Sequence, residues 1–123
     1  MADQSDARAK GQALIQQLIG GIPTNSVMPD DFRDMTLEHL FGGIWQDQRL
    51  DFQQRSMITC VSLVALNREA EQRIHFTGAK NLGIPRAQIE AMITHVAHYA
   101  GWPCAVSAFR VLKEVWPEDD EDN

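Results

Sequence analysis

Thiols, tyrosine and positive charge are all scarce in this sequence. Of 123 residues, two are cysteine and one is tyrosine. Cys60 and Cys104 stand far apart with neither a CxxC pair nor a Cys/His cluster, so the spacing suggests no zinc site and no disulfide scaffold. In a reducing compartment both read as small buried hydrophobes, a reactive Cys104 being the other reading. Lysine and arginine total 11 against 17 acids, a net charge of −6. Five of those acids run from Glu118 to Asp122, and without them the body holds 11 basic and 12 acidic residues. A near-neutral body lacks the basic face that phosphate neutralisation requires, which argues against a nucleic-acid partner. The acidic run reads as a solvated, disordered tail over residues 118–123. No apolar run nears the roughly 18 residues of a membrane span. The opening Met1–Asp6 lacks a basic stretch followed by an apolar one, so no secretory signal and a cytoplasmic location are expected. GxGxxG, P-loop, GxSxG and HExxH patterns are missing too, which removes the common nucleotide, serine-hydrolase and zincin readings.

What is present is helical patterning. Hydrophobic residues make up 44% of the chain, enough for one globular domain with its own core. Ser5 to Gly20 repeats small or apolar residues on one face and stops at Gly20-Gly21. Residues 22–26 and Met28-Pro29-Asp30 read as loop, and Thr36–Phe41 restarts a helix that Gly42-Gly43 weakens. Asp51, with Gln54 three positions on, suits an N-cap. The following helix is expected to bury Met57, Ile58, Val61, Val64 and Ala65 and to stop near Asn67. Glu69 to Leu82 is expected to bury Ala70, Ile74, Ala79 and Leu82, with Gly83 as its cap. Pro85 and Pro103 each open a further helix. The first buries Ile89, Met92, Ile93, Val96 and Ala97 as far as Gly101; the second buries Ala105, Phe109, Leu112 and Trp116 and ends at Pro117. No strand is convincing, so the fold class is all-α. The domain reading is an N-terminal helix and loop (1–30), a helical domain (31–117) and the tail. Gln53–Leu66 carries one charged residue and Ala91–Ala108 none. A chain this short rarely hides two such segments, which predicts packing between copies.

The residues able to carry chemistry are histidines and arginines in apolar helices. His75 lies between Ile74 and Phe76, with Glu71 one turn back. His95 and His98 share a helical face, and His39 precedes Phe41 and Trp45. A helical histidine is more often structural than catalytic, although histidine is the side chain best suited to proton exchange near neutral pH. Two ligands three apart make no metal site alone, and none is expected.

The order of residues runs through Phe41-Gly42-Gly43-Ile44-Trp45, Leu50-Asp51, Arg55-Ser56-Met57-Ile58-Thr59, Leu66-Asn67-Arg68-Glu69, Ile74-His75 and Tyr99-Ala100-Gly101-Trp102-Pro103 to Ala108-Phe109-Arg110. In that order it resembles the carboxymuconolactone decarboxylase family. The resemblance covers Leu37 to Trp116, with the Tyr-x-Gly-x-Pro element its most specific part. The resemblance implies a compact all-α fold of the alkylhydroperoxidase D-like type, assembled as a homotrimer or homohexamer with sites near subunit interfaces. In the peroxide-reducing branch a CxxC precedes the family histidine and a Glu acts as relay. Here Arg68, Glu71 and Ser56 stand at those positions, and Cys60 and Cys104 do not replace them by spacing.

The decarboxylase branch therefore supplies the expected function: cofactor-independent loss of CO₂ from a lactone carboxylic acid of the γ-carboxymuconolactone type, in aromatic-compound catabolism by the protocatechuate/β-ketoadipate route. By resemblance His75 is the acid or oxyanion donor, Arg55 the carboxylate clamp and Tyr99 a hydrogen-bond donor. The pocket is expected to include His39, Trp45, Arg49, His95, Trp102 and Cys104. The plainer readings stay beside these: Arg55 as a surface ion pair, Tyr99 as a packed ring, Trp45 and Trp102 as core or interface. This chain also departs from the family pattern. Asp47, Gln48 and Arg49 replace an Arg followed by Pro-Gly, and Gln88 and Ala91 stand where two acids are expected, with Glu90 out of phase. A different small acid as substrate, a non-catalytic oligomeric binding protein and a thiol redox protein are the alternative functions.

Overall fold

A computed structural model describes residues 4–23 and 26–118. The loop expectation at Thr24 and Asn25, and the tail expectation from Asp119 onward, lie outside the described residues. Every regular element among the described residues is helical: α1 (Gln4–Ile19), α2 (Asp30–Met35) running into a π-helical turn (Thr36–Phe41), a 3₁₀ turn (Ile44–Gln46), α3 (Phe52–Ala65), α4 (Glu69–Asn81), α5 (Arg86–Ala100) and α6 (Trp102–Val115). No helix is long and apolar enough to cross a membrane. The chain divides into two packed units, Met1–Phe52 and Gln53–Asn123.

In the first unit α1 buries Gly11, Leu14, Ile15 and Leu18, the stripe its periodicity predicts, while Ile19 stays partly exposed. The π-helical turn crosses α1 at backbone distance. A Cβ on Gly11 would lie 1.8 Å from the Leu37 carbonyl oxygen, and one on Gly42 would lie 2.0 Å from that of Ala7. Only glycine permits that approach. Arg8 of α1 donates to Asp34 at 2.8 Å and lies 3.4 Å from Glu38. The helix expected to start at Thr36 starts six residues earlier, at Asp30. Pro29 supplies a fitting φ of −58° at its entry, and Asp30 and Asp31 complement the positive end of the helix dipole.

The second unit holds α3 to α6 around one apolar core that includes Cys60, Val64, Phe76, Ile89, Ile93 and Leu112. Three hydrogen bonds set α3 antiparallel to α4: Gln53 Nε2 to the Leu82 carbonyl (2.9 Å), Cys60 Sγ to that of His75 (3.4 Å) and Gln72 Nε2 to that of Leu63 (3.1 Å). Each step up α3 matches an equal step down α4. Asn67, at φ 57°, makes the turn between them, and Gly83 and Gly101 adopt the positive φ their cap positions need.

The expected α5 face is buried throughout, but the faces of α3 and α4 are rotated. On α3 the buried residues are Ser56, Cys60 and Val64; Ile58 and Ala65 are exposed, with Met57 and Val61 at the edge. On α4 they are Gln72, Phe76, Gly78 and Ala79, so Ala70 and Ile74 face solvent and Leu82 is half-buried. Small polar residues with bonded hydroxyl, thiol or amide groups occupy the seam, and apolar counting passes over them. Phe109 of α6 is likewise 38% exposed. Arg86, buried, donates from Nε to the Trp116 carbonyl at 2.7 Å and pairs with Glu90, joining the start of α5 to the end of α6.

Candidate active site

His75 sits half-buried on α4, one position before the fully buried Phe76. Burial lowers its imidazole pKa from the ordinary value, and the charge of Glu71 opposes that shift less strongly. The ring is therefore held toward its neutral form, which keeps one N–H donor and one nitrogen acceptor. Gln72, one turn earlier, anchors this stretch of α4 to α3. Sequence reading passed over Gln72, because a lone polar residue one turn from a histidine carries no pattern of its own.

Arg55 lies half-buried on α3, one position before the buried Ser56. Its carbonyl accepts the Thr59 hydroxyl at 2.9 Å. His75 faces Cys60 across the antiparallel pair, so Arg55 is five residues, or about 7.5 Å, further along the α3 axis. Arg55 and His75 each precede a seam residue by one position. In an antiparallel pair that common displacement carries both side chains toward the same flank.

Tyr99 does not share that setting. It is 80% exposed on α5 and stacks on His95 with ring centroids 5.1 Å apart. Beside it His98 meets Trp102 edge-on at 5.6 Å, and the His98 Nδ1 lies 2.9 Å from the Thr94 carbonyl. An open hollow of about 560 Å³ is lined by Ala91, Thr94, His95, His98 and Tyr99; His75 and Arg55 do not line it. Tyr99, His95, His98 and Trp102 thus lie together on the α5–α6 face through these two ring pairs. Trp102 is largely exposed, not a core ring.

The cysteines differ. Burial pushes the Cys60 thiol up to about 12, against a smaller opposing hydrogen bond from Ser56. A thiol held that far from ionisation is a poor nucleophile. Cys104 is half-buried, with Sγ 3.9 Å from the Ala100 carbonyl, and both thiols are free. Among the described residues no three His, Cys, Asp or Glu side chains gather as metal ligands.

In the first unit Trp45 is buried with its ring 5.4 Å from Phe41, and it lines a hollow of about 270 Å³ with Asp47, Leu50, Asp51 and Phe52. Arg49 does not line that hollow. It folds onto Asp47, its Nε 3.0 Å from both carboxylate oxygens, so the charge that Asp47 introduces is neutralised within the loop. His39 is exposed on the π-helical turn.

Comparison with known proteins agrees with this architecture. A 4-carboxymuconolactone decarboxylase of Acinetobacter baylyi is 31% identical over 88 residues, covering 72% of this chain and 66% of the relative. A nitrosuccinic acid decarboxylase of Metarhizium robertsii is 29% identical over 82 residues, covering 67% and 57% respectively. The chain thus spans slightly less than two thirds of the first relative's length and little more than half of the second's. Residues 30–114, from the first turn of α2 almost to the end of α6, match the carboxymuconolactone decarboxylase family. With more than half its length in that match, and helices throughout the described residues, the chain belongs to the carboxymuconolactone decarboxylase family.

Proposed function

We propose that this chain is a carbon–carbon lyase that removes CO₂ from a small dicarboxylic acid without a cofactor, a γ-carboxymuconolactone-type lactone being the first candidate. The observation that carries the reading is the α3–α4 pair: a neutral-leaning, half-buried His75 and a half-buried Arg55 share one flank of an antiparallel register. The two decarboxylase-named relatives support it. Their named substrates share a chemistry. Each is a dicarboxylate with an electron-withdrawing group, a conjugated lactone or a nitro group, that can take up the electron pair left by CO₂.

In the lactone the bond from ring carbon to carboxylate breaks. Its electron pair moves through the ring alkene onto the lactone carbonyl, and a proton is then taken up at carbon, so RCO₂⁻ and H⁺ become RH and CO₂. Three protein functions follow. Arg55 holds the spectator carboxylate, because a planar guanidinium binds carboxylates in a two-point geometry. The neutral His75 donates its N–H to the oxygen that gains charge, the role its lowered pKa suits best. A proton donor completes the reaction: the developing anion raises the basicity of the His75 ring, which takes a proton from water and passes it to carbon.

Residues 31–117 form the catalytic part of this reading. His39, Trp45, Arg49, His95, Trp102 and Cys104 stay its substrate-pocket candidates by resemblance to the family. Copies of the chain associate as trimers or hexamers, and the reaction is cytoplasmic. The test is turnover of γ-carboxymuconolactone and, in parallel, nitrosuccinate by the purified protein, following CO₂ release. Turnover of either that is lost in His75→Gln supports the lyase reading. Turnover of neither by a folded, assembled protein removes it and favours a binding role.

A further inference from the structure

We propose that a pocket in the first unit, between the end of α1 and α2, binds a small carboxylate with an apolar body through Arg33. Arg33 is half-buried in the short α2, and its Nε is buried with no hydrogen-bond partner. The Nε is closed to solvent, so the accessible remainder of the guanidinium is what a ligand in the pocket meets, and a cation without a protein counter-ion gains from an added carboxylate. The neighbouring carboxylates are directed elsewhere. Asp34 and Glu38 pair with Arg8, and the Asp31 Oδ1 accepts the Phe32 N–H at 2.8 Å. Among the described residues Arg33 has no ion pair.

The surroundings are built for a ligand of mixed character. Arg33 lines a pocket of about 310 Å³, at the small end of the range that holds small molecules. The amides of Gln12 and Gln16, one turn apart on α1, stand on its wall as donors and acceptors. Ile15, Ile22 and Leu37 supply the smaller, apolar share of the lining, a narrow floor because Ile15 and Leu37 are almost fully buried. Gly21, on the pocket's lining at φ 113°, holds a backbone conformation that other residues rarely adopt. Guanidinium, amides and aliphatic floor together select a planar carboxylate attached to a hydrocarbon group. Inorganic phosphate matches the cation and wastes the floor; a neutral amide matches the floor and wastes the cation. The inference rests on the first unit alone and stands or falls apart from the lyase reading.

The experiment is a titration of the ¹⁵N-labelled full chain with benzoate, benzamide and inorganic phosphate, each to about 10 mM, a range suited to fragment-sized ligands. The readouts are the arginine Nε–H and glutamine side-chain resonances, with the Arg33 signal assigned as the one missing from Arg33→Lys. Benzoate should move the Arg33 Nε–H and the Gln12 and Gln16 amide signals. Its affinity should exceed that of benzamide and phosphate by about tenfold or more, and Arg33→Gln should lose about as much. His75→Gln should leave binding unchanged. No shift of the Arg33 signal with benzoate, or equal affinity for all three probes, overturns the proposal. Should Arg33→Gln fail to fold, the wild-type resonances decide by themselves.

Discussion

At the residue scale, what governs His75 is how much water surrounds it. Half-burial beside Phe76 disfavours imidazolium, and Glu71 is too weak a partner to reverse that. The consequence for stability has a definite sign. Below about pH 6.5 the unfolded chain binds a proton on this ring while the folded chain resists it, so unfolding is favoured as pH falls from 6.5 through the lowered folded value. His75→Gln should flatten that part of the stability–pH curve measured by urea unfolding, with the far-UV circular dichroism unchanged. The same substitution should lower decarboxylase turnover by about 10²-fold or more, the ordinary weight of a positioned proton-handling group. Arg55→Lys keeps the charge but loses the two-point geometry. It should raise KM by about tenfold with a smaller change in kcat, as expected for a group that holds a spectator carboxylate. An unchanged KM would return Arg55 to the surface-ion-pair reading.

At the element scale, helix existence was legible in the residues, and helix phase was legible for α1 and α5 but not for α3 and α4. Gly20-Gly21, Asn67, Gly83, Pro85, Gly101 and Pro103 punctuate the chain where the backbone requires positive φ or a fixed φ, and those stops stand in the structure. Phase went wrong where the seam is polar. Gln72 is buried because its partner, the Leu63 carbonyl, lies across the α3–α4 interface, and Ser56 is buried beside Cys60, whose thiol reaches across to the His75 carbonyl; an apolar pattern read along one helix cannot contain that information. Ile89→Ala should therefore destabilise the chain by about 2–5 kcal/mol, whereas Ile58→Ala, on the face first expected to be core, should cost about 0.5 kcal/mol. The α1 crossing is equally specific. Gly11→Ala places a methyl group where the Leu37 carbonyl stands and should cost about 1–3 kcal/mol or more, read as a lowered melting temperature.

At the scale of the whole molecule, the low charge of the α5–α6 segment has a visible outcome. Tyr99, Trp102, Val106 and Phe109 remain partly or largely exposed, beside His95 and His98. Such surface suits contact between copies, and light scattering coupled to size exclusion should report a trimer or larger assembly. Trp102→Asp should shift that assembly toward smaller species, because a buried unpaired carboxylate is costly. A wild-type monomer at micromolar concentration would remove the oligomer reading.

By itself the sequence determined the all-α class, the family, the helix stops and the α5 face, because each is written in local periodicity, in glycine and proline chemistry, or in the order of a motif. It also identified Asp47 and Arg49 as departures, and the structure adds that the two pair directly. Only the tertiary structure decided which side of α3 and α4 is buried, that Tyr99 stacks on His95 in solvent, and that Arg33 keeps a buried donor without a partner. Burial and pairing depend on groups brought close by the fold from distant positions in the chain, and no single segment carries that information.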